Sequence, residues 1–156
     1  MIRTLDRDET HLLVPLAAIV QRLHSSRFPG IFHADPDPTA VESFFRSWLS
    51  NPAVSALIAE PEPGVVAGYL LLEVQEIRGS ALSVPRRRGF VHHIGVLADH
   101  RRRGIASALL TAAQVRFRAE GLAVWGTSYW QFNQASAALM AKHGLQPLHL
   151  VAEGAL

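Results

Sequence analysis

The chain has 156 residues, of which 49% are hydrophobic, and this size suits a single domain with its own packed core. It has no cysteine, which excludes disulfides, thiolate zinc sites and a cysteine nucleophile. The formal net charge is only +2, although fourteen of the fifteen basic residues are arginines, so the overall charge does not by itself indicate a nucleic-acid-binding protein.

The first third of the chain predicts a short strand and two helices. IRTL predicts the strand, and residues 10–23 predict a helix with Thr10 as its N-cap. Residues 39–50 predict an amphipathic helix that begins with a capping box of Thr39 and Glu42. The stretch between these helices is rich in Pro, Gly and Asp, so we expect it to be a loop.

The remainder of the chain alternates between β-rich and helical patterns. In order, it predicts strands at 53–60 and 64–76, a polar loop at 77–88, a strand at 89–98, a helix at 104–121, a strand at 122–130, a helix at 133–144 and a strand at 145–151. Asn133 is the expected N-cap of the last helix, and Gly144 its C-terminal glycine. Because hairpins and crossover connections are mixed, we expect one mixed α/β sheet spanning residues 1–156 as a single domain.

The stretch DHRRRGIASALL joins a buried strand to a helix. Helix N-termini offer unpaired N–H groups and a partial positive charge, and the small residues Gly104 and Ala106 would let an anion approach the backbone. No Lys-Ser/Thr follows a glycine loop and no Gly-x-Gly-x-x-Gly is present, so neither of those phosphate-binding motifs applies. A solvated arginine run is the alternative interpretation.

Residues 101–106, Arg-Arg-Arg-Gly-Ile-Ala, resemble the Arg/Gln-x-x-Gly-x-Gly/Ala signature of the GCN5-related N-acetyltransferase (GNAT) superfamily. The segment from Asn133 to Gly144 is similar to the last helical motif of that family, and the order of elements along the whole chain is similar too. The resemblance implies a GNAT fold: a mixed central sheet of about six to seven strands, with a splayed central strand pair and about four helices. It also implies acetyl-CoA as cosubstrate. We expect no metal, because the histidines are scattered along the sequence and His92 and His93 cannot chelate from one strand face.

The resemblance assigns most of the cofactor contacts to the backbone. In the family, the amides of the turn hold the pyrophosphate of acetyl-CoA, and a backbone N–H of the strand before it stabilises the oxyanion, which here falls within Ile94 to Val96. The residues implied to contact the cofactor are Ile94, Gly95, Val96, Arg101, Arg102, Arg103, Gly104, Ile105, Ala106, Ser107, Asn133, Ser136 and Met140.

The strand before the turn carries His92 and His93. An imidazole is a suitable general base near neutral pH, and strand alternation sends the two side chains to opposite faces. Some relatives carry their base at positions that match Phe90 and His92, so the resemblance favours His92 as the base, with Phe90 on the same wall and His93 packed under a helix. A bulge, common here in the family, would swap the faces; purely structural histidines are the alternative.

The chain departs from the family at the group that protonates the leaving thiolate. The tyrosine that often stands seven residues after the asparagine is replaced by Met140, and a thioether cannot donate a proton. Tyr129, Ser136 or water could substitute, and Tyr129 is the best protein candidate. A thiol with a pKa near 8.5 can also leave as the thiolate without full protonation.

The sequence does not define the binding site of the acceptor substrate, because the charged residues expected there have opposite signs. Asp35, Asp37 and Glu73 could attract a cationic amine, whereas Arg86 to Arg88 could favour an acidic substrate. We therefore expect an acetyl-CoA-dependent N-acetyltransferase acting on a primary amine of a small molecule or peptide. The alternatives are a CoA-binding module of the same fold without catalysis and, from a different class, a basic nucleic-acid-binding domain.

The expected setting follows from composition and from the resemblance. The sequence has no long apolar run and no secretory signal pattern, so we expect a cytoplasmic protein with no membrane and no nucleic-acid partner. The family allows a homodimer through a sheet edge or the C-terminal strand.

Overall fold

The computed structural model describes residues 1–155. Within this range the helices are α1 (Leu13–Arg27), α2 (Pro38–Leu49), α3 (Ile105–Ala119) and α4 (Gln134–Lys142), with short 3-10 helices at Arg7–Leu12 and Ala98–His100. The strands are β1 (Ile2–Thr4), β2 (Val54–Ala59), β3 (Gly68–Ile77), β4 (Arg86–Val96) and β5 (Trp125–Thr127). None of these helices has the length and apolar character that a bilayer span requires.

The five strands form one mixed sheet in the order β1-β2-β3-β4-β5. The first three pairings are antiparallel, and the fourth, between β4 and β5, is parallel because α3 carries the chain back to the start of β4. The predicted mixed α/β class with four helices is confirmed.

Helices cover both faces of the sheet, and β3 shows the alternation that this requires. Tyr69 and Leu71 point to the face covered by α1 and α2, where Phe45 is buried with them. Leu70 and Leu72 point to the other face, where Phe117 of α3 completes the core. A strand buried on both sides reads as a continuous apolar run, which explains the sequence GYLLL.

The expectation of six to seven strands is wrong within residues 1–155, where the sheet has five. Residues 145–151, predicted as a closing strand, have no regular structure, and Leu148 and Leu150 are exposed. The edge strand β5 has only three residues to offer a further strand, and Pro147 has no N–H to donate to a ladder. The predicted polar loop at 77–88 is also too long, because β4 begins at Arg86.

Both predicted N-caps in the first half of the chain are wrong. Thr10 lies within the first 3-10 helix, is buried, and its hydroxyl donates to Glu42 Oε1 (3.2 Å). α2 begins at Pro38 rather than Thr39, and its N-cap is Asp37, whose carboxylate accepts from the Ala40 N–H at 2.8 Å. Proline suits the first position of a helix because its fixed φ is helical and its missing N–H would have no partner there.

The last helix begins and ends as predicted. Asn133 is its N-cap, with Oδ1 accepting the N–H of Ser136 at 3.0 Å. Gly144 follows its C-terminus with φ +83°, a conformation that glycine adopts without strain.

β4 and β5 pair over only three residues and then part. The last pair joins Val91 to Thr127, whose hydroxyl donates to the Val91 carbonyl at 2.8 Å. From Ile94 to Val96, β4 pairs with β3 on one edge, while its other edge has no partner strand within residues 1–155. Because β4 and β5 diverge here, the backbone N–H and C=O groups on this edge of β4 have no strand partner within residues 1–155. They lie beside the start of α3.

Candidate active site

The turn before α3 exposes backbone amides at the start of the helix. Gly104, the N-cap, has φ +81°, and no atom lies within 4 Å of where its Cβ would be. The first N–H of the helix with a backbone acceptor is that of Ala108, which donates to the Gly104 carbonyl at 2.9 Å. The N–H groups of Ile105, Ala106 and Ser107 therefore remain available to an anion.

Three exposed arginines surround this helix start. Arg101 donates from Nε to the Val96 carbonyl at 3.2 Å, which ties the turn to the end of β4. None of Arg101, Arg102 and Arg103 forms a salt bridge with a carboxylate of residues 1–155. Unpaired guanidinium groups beside free amides suit an anion such as a diphosphate.

A bulge in β4 brings both histidines to the same face. Val91 pairs with Leu72 and His93 with Leu71, so His92 is one extra residue between two consecutive pairs. The ring of Trp48 in α2 lies 4.7 Å from that of His92 and 5.7 Å from that of His93, measured between centroids. The prediction that the two side chains lie on opposite faces is therefore wrong, because alternation fails at a bulge.

His92 forms a close pair with Glu73 of β3. Nε2 of His92 lies 2.7 Å from Oε2 of Glu73, and about a fifth of each side chain is exposed. An ionised carboxylate only accepts hydrogen bonds, so Nε2 carries the hydrogen and Nδ1 is the basic nitrogen of the neutral ring. The Phe90 ring lies 4.9 Å from the imidazole, as expected for a residue on the same wall.

His93 is in a different environment, although it is adjacent. Its ring packs against Phe45 and Trp48, and Nδ1 is hydrogen-bonded to the Tyr69 hydroxyl at 3.3 Å. Burial lowers the pKa of His93 to about 4, with smaller contributions from His92 and His24. Burial also raises the pKa of Tyr69, so the two groups form a neutral pair at physiological pH.

Aromatic side chains from two loops pack together beyond the end of α1. Phe28 lies 4.7 Å from Trp130 and 5.6 Å from Phe132, and Phe32 lies 5.4 Å from Trp130. His24 joins this group, and its burial lowers its pKa. The contacts fix the loop after α1 against the loop before α4.

A family model matches most of this chain. The acetyltransferase (GNAT) family model covers residues 17–145, which include the histidine pair, the arginine turn and α4. The chain belongs to the GNAT family. No curated protein matches it.

Solved structures share the GNAT fold at low sequence identity. The tetramutant of the BH1408 protein from Bacillus halodurans has a TM-score of 0.92 at 17% identity, covering 100% of this chain and 99% of that one. A transcriptional regulator from Bacillus halodurans C-125 has a TM-score of 0.77 at 15% identity, with coverages of 100% and 99%. The aminoglycoside N-acetyltransferase AAC(6')-Iy in complex with CoA has a TM-score of 0.71 at 19% identity, with coverages of 100% and 93%. At such identities the likeness is one of fold.

In this GNAT chain, the residues considered for thiolate protonation lie in and around α4. Met140 is buried in the core between α3, α4 and the sheet. Tyr129 is half-buried and packs against the same core, just beyond β5. Ser136 donates its backbone N–H to Asn133, so the asparagine oxygen is engaged in the cap.

The charged residues expected on the substrate side serve mostly structural roles. Asp37 caps α2, and Arg87 forms salt bridges with Glu76 and Glu120. Glu73, predicted to attract an amine, contacts His92, and no local pattern in the sequence indicates that contact. Strand register could have revealed it, because Glu73 pairs directly with Phe90. A bulge expected in β4 would not by itself have shown that Glu73 is the carboxylate that contacts His92.

Proposed function

We propose that the protein is an acetyl-CoA-dependent N-acetyltransferase that moves an acetyl group to a primary amine. The observation that carries this proposal is the open edge of β4, which lies between the α3 helix start and the Glu73–His92 pair. The edge joins an anion site to a candidate base along one strand, which is the arrangement that a thioester donor and an amine acceptor need.

The residues around the open edge suit acetyl-CoA. The amides of Ile105 to Ser107 and the three arginines at 101–103 would hold its phosphates, and the β4 backbone from Ile94 to Val96 would orient its extended arm. A free N–H on this edge would stabilise the oxyanion. When bound, acetyl-CoA supplies the electrophilic thioester carbonyl.

His92 acts as the general base in this proposal. A primary amine is mostly protonated at neutral pH, and only its neutral form attacks a carbonyl. Nδ1 of His92 takes the proton, and Glu73 at 2.7 Å stabilises the imidazolium that forms. His93 is less suited to act as the base, because its Nδ1 is hydrogen-bonded to the Tyr69 hydroxyl and burial lowers its pKa to about 4. The CoA thiolate leaves with a proton from water or from Tyr129.

Binding and turnover test the proposal in two steps. Acetyl-CoA at about 100 times its Kd should raise Tm by roughly 5–10 °C. Arg103→Glu should abolish that shift, while Arg118→Glu, about 20 Å away near the other end of α3, should preserve it. A folded wild-type protein with no shift at millimolar acetyl-CoA would contradict the proposal.

Turnover is measured next, as thiol release with a panel of primary amines that includes aminoglycosides. His92→Ala should lower kcat/KM for the amine by about 10²–10⁴ and leave acetyl-CoA binding unchanged. A thermal shift without turnover for any amine would favour the second candidate, a CoA-binding module without catalysis. The burial of Met140 at the position where the family often has tyrosine supports that candidate.

A further inference from the structure

Five side chains form a closed ring of contacts on the outer half of the β3–β4 hairpin. Glu73 Oε2 accepts from His92 Nε2 at 2.7 Å and from Gln75 Nε2 at 2.8 Å. Gln75 Oε1 accepts from Arg88 Nε at 2.9 Å. The Arg88 guanidinium lies over the Phe90 ring at 4.5 Å, and that ring lies 4.9 Å from His92.

Strand register brings this ring together. Gln75 pairs with Arg88 and Glu73 with Phe90, so two cross-strand pairs stand next to each other on one face. The bulge adds His92 to that face immediately beyond Phe90. The histidine therefore meets a side-chain array that the regular part of the hairpin has already arranged.

The hydrogen bonds give Gln75 a fixed direction. Because Arg88 only donates, Gln75 must turn its carbonyl oxygen toward it, and its NH₂ group then faces Glu73. A flipped amide would put an oxygen against the carboxylate and a donor against the guanidinium. Arg88 is in turn fixed by its stacking on Phe90 and is half-buried, which limits its alternatives.

We propose that Gln75 and Arg88 are positioning residues that hold Glu73 against His92, so that Nδ1 is the ring nitrogen presented to the acceptor amine. This inference rests on the proposed function for its effect on turnover. Arg88 acts through Gln75, and Gln75 acts through Glu73; neither needs to contact the acceptor. The ring also explains why a partly exposed histidine and carboxylate stay paired on a strand surface.

The groups that face His92 make the effect measurable through the tautomer of its ring. β3 contributes Glu73, and β4 contributes the neutral His93 and, across Phe90, Arg88. α2 contributes the uncharged ring of Trp48. The Glu73 carboxylate only accepts hydrogen bonds, so its contact keeps the ring hydrogen on Nε2. If Glu73 is released, the neutral ring can also adopt the tautomer with its hydrogen on Nδ1.

Gln75→Met tests the inference, since it keeps the size of the side chain and removes both hydrogen bonds. We expect kcat/KM for the amine to fall about tenfold, a fraction of what a positioned base contributes, with the KM for acetyl-CoA unchanged. The share of His92 rings with their hydrogen on Nε2 should fall. Gln114→Met, the same substitution on a half-buried face of α3, should leave all three unchanged.

A second pair of variants tests the role of Arg88 and keeps the positive charge at each substituted position. Arg88→Lys loses the planar stack on Phe90 and should lower kcat several-fold, whereas Arg87→Lys, on the same strand but paired with Glu76, should not. Equal effects of Arg88→Lys and Arg87→Lys, or a Gln75→Met enzyme with the kcat/KM of the wild type, would overturn the inference.

A measurement independent of turnover separates this inference from the proposed function. The tautomer of the neutral His92 imidazole can be read from its nitrogen chemical shifts by NMR in the wild type and in Gln75→Met, with equal Tm as the check on folding. A smaller share of the tautomer with its hydrogen on Nε2 in the variant supports the ring even if no amine is acetylated. An unchanged share overturns it even if the wild type is active.

Discussion

His93 is buried against Phe45, Trp48 and Tyr69, and this burial lowers its pKa from 6.5 to about 4. Its neighbour His92 reaches the protein surface and has a carboxylate partner. The bulge thus places two identical side chains on one face in different environments. In the proposed reaction, the carboxylate beside His92 would stabilise the imidazolium that forms when His92 takes a proton from an amine.

The buried histidine should make stability depend on pH. Below pH 6.5 the unfolded chain takes up a proton at this position, and the folded chain does so only near pH 4, so stability falls through that window. We expect His93→Gln to remove about 2 kcal/mol of the loss between pH 6.5 and pH 4.5, as measured by urea unfolding. His33→Gln, at an exposed position, should keep the wild-type dependence; parallel curves for all three proteins would contradict the assignment.

At the scale of elements, the start of α2 shows how a short cap can be misread. The capping box predicted from Thr39 and Glu42 does not form, and α2 begins at Pro38 with Asp37 as its N-cap. In the fold, Glu42 is drawn away from the helix start by Thr10 and Arg46, so Asp37 alone supplies the side-chain cap. The competing partners come from tertiary packing, which the local sequence does not contain.

The cap should contribute measurably to stability. Asp37→Ala removes the acceptor of the Ala40 N–H and should cost about 1 kcal/mol of unfolding free energy, measured by chemical denaturation. Asp35→Ala removes an exposed carboxylate of the same loop, outside the helix, and is the matched control. If the two variants lose the same stability, Asp37 does not act as a cap.

The elements also differ in how far the sequence can predict them. The turn at 101–104 and the N-cap of α4 depend on residues close in the chain, and local patterns predict both. The contact between Glu73 and His92 joins residues nineteen apart and depends on the hairpin register and on a bulge. Neither composition nor the alternation of apolar and polar residues specifies that register. The sequence therefore predicts the turn before α3, but it does not predict the contact between Glu73 and His92.

For the whole molecule, the small net charge of +2 conceals an uneven distribution. Arg101, Arg102 and Arg103 stand together at one helix start and form no salt bridge within residues 1–155, while Arg3, Arg46 and Arg87 are engaged in salt bridges elsewhere. The chain therefore needs no large positive charge to attract an anion to one place.

This distribution predicts a dependence on salt. The arginines are exposed, so raising NaCl from about 0.05 to 0.5 M shortens the screening length and should weaken acetyl-CoA binding by about tenfold. Acetyl-pantetheine, which lacks the phosphates, should be insensitive to the same change when KM is compared. Equal salt sensitivity of the two thioesters would show that the arginine turn does not bind phosphate.

The bulge in β4 has a further consequence for how the protein tolerates change. Because Val91 and His93 pair with the consecutive residues Leu72 and Leu71, the ladder on either side of His92 is already in register. A chain lacking His92 would keep every other side chain of β4 on its present face. The residue proposed as the base is thus a single-residue insertion in an otherwise regular strand, so it can be gained or lost without rebuilding the sheet.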